Sequence, residues 1–259
     1  MNRPIGFFDS GVGGTSIWKE VIRLLPREHT IYLADSKNAP YGKRTKEEIL
    51  ELSKKNVEIL LGKGCKLIVV ACNTATTNAI DYLRKEYPVP FIGIEPAIKP
   101  AALHTKTKKV GVLATKGTLS SNLFHSTSRV HATGIEIFEQ EGKGLVELVE
   151  SGKQNSNEAK LLLQEFLQPM LEAGIDCLVL GCTHYPYLMP ILKQVVPKNI
   201  QIIDSGFAVA QQTNRVLTQH GFLNESRTMV QHQFHTNGSK QLLGALIDQE
   251  GVSIFETDF

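Results

Sequence analysis

Short apolar runs rich in valine, isoleucine and leucine recur along this chain, separated by longer stretches in which apolar residues return every three or four positions. The runs read as strands buried on both faces, and the stretches between them as helices covering a parallel sheet. Predicted strands are IGFFD (5–9), TIYLAD (30–35), KLIVVA (66–71) and PFIGI (90–94), then KVGVLA (109–114), IEIFE (135–139), CLVLG (177–181) and IQIID (200–204). The spacing predicts helices over 45–62, 74–86, 157–173, 187–196 and 206–219. VQHQFHTNG follows, with a closing helix and strand to Phe259.

The two series of four strands align in order. IGFFDS meets VGVLAT, IYLADS meets IEIFEQ, and LIVVACNT meets CLVLGCTH, so that Gly6 falls on Gly111, Ile31 on Ile135, Val69 on Val179 and Cys72 on Cys182. An ordered repeat of this kind predicts an α/β fold of two pseudo-symmetric lobes facing each other, each a mainly parallel sheet flanked by helices. The proline-bearing EPAIKPAAL (95–103) is the predicted crossover, and the residues after IQIID are expected to return to the first lobe. The expected division is a discontinuous first lobe, 1–97 with 208–259, and a second lobe, 98–207.

Composition narrows the function. A net charge of +2, without a basic stripe interleaved with aromatics, argues against nucleic acid and leaves a small molecule as the expected partner. The chain reaches IGFFDS without a basic and apolar leader, and it has no uninterrupted apolar segment of membrane-spanning length, so no membrane partner and a cytoplasmic location are expected. The cysteines are Cys65, Cys72, Cys177 and Cys182; no two form a C-x-x-C pair, so no structural zinc site is expected. In a reducing cytosol they are not expected to pair as disulfides, and the ordinary fate of any one of them is core filling.

In open parallel sheets ligands collect beyond the carboxyl ends of the strands. Asp9, Ser10, Cys72, Thr115 and Cys182 all fall at such ends. Both Cys72 and Cys182 precede a predicted helix start or turn, where the positive end of the helix is expected to lower the thiol pKa from about 8.5 towards neutrality. Asp9 and His184 add a titratable partner for each. Ser10, Asn73, Thr74, Thr115, Thr118 and Thr183 offer uncharged donors, a set that suits carboxylates. PYGKRT (40–45) is a turn placed as a rim or lid. DSGVGGTS (9–16) lacks the third glycine of a dinucleotide loop and the G-K-[ST] of a P-loop, so its glycines are expected to bring the backbone close to a small ligand.

One cysteine with a histidine suggests acyl transfer. Two cysteines related by a repeat suggest a symmetric reaction: inverting a carbon stereocentre needs a proton removed from one face and another delivered to the opposite face. The motifs FDSGVGG, PYG, VACNTA, the glutamate ending LVELVE, and LGCTHYP together resemble the glutamate racemases, in order and spacing over essentially the whole chain. The resemblance implies a cofactor-independent enzyme interconverting L- and D-glutamate for peptidoglycan synthesis, built of two α/β lobes with the active site between them. It makes Cys72 and Cys182 the acid/bases, with Cys182 acting on L-glutamate and Cys72 on the D-isomer. Asp9 and His184 would assist them, Glu150 would sit near His184, and Ser10, Tyr41, Gly42, Asn73, Thr74, Thr183, Thr115 and Thr118 would bind substrate. Homodimers are common among similar enzymes.

One departure is Glu147, which stands where many members carry proline. Aspartate racemases tend to have glutamate in place of His184, and related malonate decarboxylases keep only one of the paired cysteines. Other readings are an aspartate racemase, another cysteine-dependent isomerase or hydrolase of this fold acting on a small acid, or a non-catalytic amino-acid-binding protein.

Overall fold

A computed structural model describes residues 2–226 and 229–259. In chain order the elements are β1 (Ile5–Asp9), α1 (Thr15–Leu24), β2 (Thr30–Ala34), α2 (Lys46–Gly62), β3 (Leu67–Val70), α3 (Asn73–Glu86) and β4 (Phe91–Gly93). Next come α4 (Ile98–His104), β5 (Lys109–Ala114), α5 (Lys116–Leu119), α6 (Asn122–His131), β6 (Glu136–Glu141), α7 (Leu145–Glu150), α8 (Asn157–Glu172), β7 (Cys177–Gly181), α9 (Met189–Val195) and β8 (Gln201–Ile203). The chain closes with α10 (Gly206–Gln219), β9 (His232–Thr236), α11 (Lys240–Ile247) and β10 (Val252–Glu256).

All pairings are parallel, in two sheets ordered β10-β9-β2-β1-β3-β4 and β6-β5-β7-β8. The order β2-β1-β3-β4 of the first sheet recurs as β6-β5-β7-β8 in the second. Register follows the repeat too: Ile5 faces Leu67 as Val110 faces Cys177. β6 is the exception. Gly6 faces Ile31 but Gly111 faces Phe138, so the structural counterpart of Ile31 is Phe138, and Ile135 lies outside the strand. The reason is exposure: β6 is a half-exposed edge strand whose apolar pattern constrains register weakly, whereas β1, β3, β5 and β7 are buried almost throughout.

Alternation along the central strands divides the core. Phe7 and Val69 point to one side of the first sheet, and Phe8 and Val70 to the other. The first side is continuous with Leu178, Leu180, Cys182, Tyr185 and Leu188 of the second lobe, so one apolar cluster spans both lobes. Local signals start the helices: Thr45 and Glu48 form a reciprocal cap on α2, Cys72 caps α3, and Ser156 caps α8. The predicted 187–196 helix is divided into a 3-10 turn, Tyr185–Leu188, and α9, because Pro186 and Pro190 each favour a fresh helix start. β9 and β10 extend the first sheet through β2, and the chain after α10 is held by Lys66, whose ammonium is fully buried between Glu28 (2.6 Å) and the Phe222 carbonyl (2.7 Å). Among the described residues no helix is long and apolar enough to cross a membrane.

Candidate active site

The carboxyl ends of β1 and β3 face those of β5 and β7 across a cleft. Beyond them lies a small cavity, walled by Ser10, Tyr41, Gly42, Cys72, Asn73 and Thr74 from one sheet's loops and by Thr115, Cys182, Thr183 and His184 from the other's, with Pro40 and Val146 completing it. The paired cysteines of the repeat therefore reach one cavity from opposite sides, each some 90% or more buried.

Each thiol has its own surroundings. The Cys72 sulfur accepts from the Ala75 amide at 3.4 Å, as the first turn of α3 requires. That amide does not bring the thiol towards neutrality. Burial pushes Cys72 well above its ordinary value, and the Asp9 carboxylate adds to the rise, outweighing the amides of Ala75 and Ser10. The expected lowering at this position is thus reversed, because desolvation in a closed cleft exceeds the pull of a helix end.

Cys182 faces His184 instead. His184 Nδ1 lies 3.8 Å from its sulfur and His184 Nε2 lies 2.6 Å from Glu150 Oε1. Burial alone would lower the His184 pKa, but its bonds to Cys182 and Glu150 prevail and hold it well above the ordinary value. Glu150 also accepts from the Val12 amide (2.7 Å) and from Ser36 Oγ (2.9 Å), both in the first lobe.

Asp9 is completely buried at the end of β1, accepting from the Gly14 amide (2.7 Å) and, more loosely, from Thr183 (3.4 Å) and Ser10 (3.4 Å). Burial raises its pKa, opposed by the His184 charge and the Gly14 amide. Asn73 presents both side-chain polar atoms buried and unpartnered among the described residues, on the cavity wall. A buried amide without partners is costly unless something binds it. Thr74 and Thr115 bond across the cleft at 2.8 Å.

The structure adds detail to four of the readings. Tyr41 is buried with its hydroxyl donating to Asp35 (2.6 Å) and accepting from Asn56 (3.1 Å), so that hydroxyl is not what this residue offers the cavity. Thr118 is fully buried behind Thr74 and Thr115 and does not line the cavity. The glycines of DSGVGG make room for protein, not ligand: a Cβ on Gly11 would collide with the Glu150 carboxylate, and one on Gly13 with the His184 ring. Glu147 pairs with Lys43 at the surface, which leaves Glu150 as the acid beside His184.

Ser36 escaped the sequence reading, although a signal existed. It follows Asp35 at the end of β2 as Ser10 follows Asp9 at the end of β1, and Asp204-Ser205 repeats the pair after β8. Pro40 belongs to the PYGKRT segment expected at the rim, whereas Val146 carries no polar signal and was legible only in three dimensions.

Residues 6–213 match the family model described as Asp/Glu/Hydantoin racemase, and the chain belongs to that family. Among curated proteins it is 45% identical to a glutamate racemase of Herpetosiphon aurantiacus over 92% of this chain and 93% of the relative. Among solved structures it resembles Escherichia coli glutamate racemase in complex with L-glutamate and the activator UDP-MurNAc-ala, with a TM-score of 0.86, 33% identity and 97% of each chain covered. It also resembles the Francisella tularensis glutamate racemase in complex with D-glutamate, with a TM-score of 0.85, 26% identity and 98% of each chain covered.

Proposed function

We propose that this chain is a glutamate racemase that works by two-base proton transfer at the α-carbon without a cofactor. The observation that carries the reading is the meeting of Cys72 and Cys182, from opposite lobes, in one cavity. Catalysis of stereoinversion needs one partner as base and the other as acid in each direction. The surroundings favour that asymmetry: His184 turns positive charge on the Cys182 sulfur, while burial keeps Cys72 protonated.

With L-glutamate bound, the Cys182 thiolate takes the α-proton, the electron pair left on carbon is shared with the α-carboxylate, and the Cys72 thiol delivers its proton to the opposite face. The reverse reaction exchanges the two roles. Asp9 assists at Cys72 and holds the substrate ammonium, and Glu150 acts through His184 as a positioning residue. Ser10, Asn73, Thr74, Thr115, Thr183 and the Gly42 backbone hold the carboxylates, which uncharged donors in a dry cavity do well.

The D-isomer supplies peptidoglycan synthesis in the cytoplasm, and the enzyme assembles as a homodimer, as similar enzymes commonly do. The domain division is 1–97 with 208–259, and 98–207; the Ser205–Glu95 hydrogen bond ties the two crossing segments together. The test is incubation of purified protein with L-glutamate or L-aspartate, no cofactor added, followed by chiral chromatography. The reading expects D-glutamate with far slower turnover of aspartate. Equal turnover of both, or of neither, overturns it.

A further inference from the structure

Next to the catalytic cavity lies a small vestibule that shares Pro40, Gly42, Thr115 and Val146 with it. Three of these shared residues are each followed by a charged one: Lys43, Lys116 and Glu147, all lining the vestibule. Glu141 and Lys143 complete its charges, so that three lysines meet two glutamates. The catalytic cavity, by contrast, has no lysine or arginine among its described lining residues. Cationic attraction is concentrated at the mouth, and binding inside is left to neutral donors.

Lys43 ends the Tyr41–Lys43 turn of the first lobe, Glu147 sits on α7 of the second, and the two form an ion pair across the mouth. Their side chains remain 65% and 40% exposed. An ion pair so exposed is weak, and another carboxylate can compete for its lysine.

We propose that Lys43 and Glu147 are an ionic gate over the cavity, which a small carboxylate passes by exchanging for Glu147 on Lys43. The identity of that carboxylate as glutamate rests on the function proposed above. Lys116 and Lys143 keep the vestibule attractive to anions while the gate is shut.

The gate is tested by alkylating Cys72 and Cys182, which lie behind it, with anionic iodoacetate and neutral iodoacetamide, and following each cysteine by peptide mass spectrometry. Wild type is compared with Glu147→Gln and Lys43→Gln, at low salt and at about 0.5 M salt. Glu147→Gln should raise the iodoacetate rate about threefold or more over wild type, and Lys43→Gln should lower the iodoacetate-to-iodoacetamide ratio by a similar factor, both effects shrinking with salt. In racemisation assays kcat/KM should move in the same direction for L- and D-glutamate with kcat little changed.

Identical reagent ratios in all three proteins overturn the gate. Alkylation needs no turnover, so predicted ratios in a protein that leaves glutamate unchanged would support an anion gate while removing the racemase reading.

Discussion

His184 Nε2 donates to Glu150 Oε1 at 2.6 Å, bringing a histidine at the end of a second-lobe strand under the control of the last residue of α7. Together with the contact to Cys182, the pair raises the His184 pKa well above its ordinary value against the effect of burial. Glu150→Gln should therefore lower the His184 pKa and shift the alkaline limb of the kcat/KM profile for L-glutamate to lower pH, with a fall of about tenfold or more at neutral pH. The stability consequence has a definite sign. A histidine whose folded pKa exceeds its ordinary 6.5 contributes stability that is full below that value and is lost as pH rises through the folded pKa. Thermal melts of wild type minus variant, taken from pH 6 upward, should converge with rising pH; parallel curves would contradict the ion pair.

Cys72→Ser and Cys182→Ser should each cut racemisation by roughly 10²–10⁴-fold while the melting temperature stays within about 5 °C, since serine fits either site but is a poor acid/base near neutrality. Cys65→Ala and Cys177→Ala should do the opposite. Both residues are buried in strands or their starts, where burial raises the thiols to about 12 and about 11. Their loss should cost about 1–2 kcal/mol in denaturant melts with kcat unchanged.

Gly13→Ala should disable the enzyme through His184 and not through the fold as a whole, because the added methyl enters the imidazole ring's space. Loss of turnover exceeding about tenfold is expected, with circular dichroism preserved. Gly62→Ala is the matched control: a methyl there meets nothing within 4 Å, and the substitution at the end of α2 should be neutral to slightly stabilising. Equal activity of the two variants would refute the close approach at Gly13.

Lys66→Met should cost about 3–5 kcal/mol, because it strands the Glu28 carboxylate in the interior, and Lys66→Met with Glu28→Gln together should recover much of the loss. The segment most affected should be the chain leading to β9, since Lys66 also binds the Phe222 carbonyl and Glu28 accepts from the Asn224 amide. Hydrogen exchange across residues 222–236 would report it.

The strands and the repeated cysteines were legible because strands buried on both faces must be apolar, and chemistry at their ends must then appear as an abrupt polar residue: Val70 runs through Ala71 into Cys72, and Gly181 into Cys182. What stayed hidden depends on distances across the cleft. LVELVE does not say which acid turns inward; α7 settles it by placing Glu150 against His184 and Glu147 against Lys43. The glycines were legible as close approaches but not what approaches them, because His184 and Glu150 arrive from residues far along the chain. The direction of the Cys72 shift was misread for a related reason: a helix end is visible in sequence, whereas the completeness of burial and the nearness of Asp9 are not.

The most direct test of the two-thiol account is isotopic. L-glutamate is incubated with the enzyme in D2O, and α-deuterium is measured separately in the L- and D-glutamate pools during the first turnovers. Two bases on opposite faces predict D-glutamate carrying solvent deuterium while the recovered L-glutamate is still mostly protonated. Deuterium entering both pools equally fast would mean one shared base and would contradict the account.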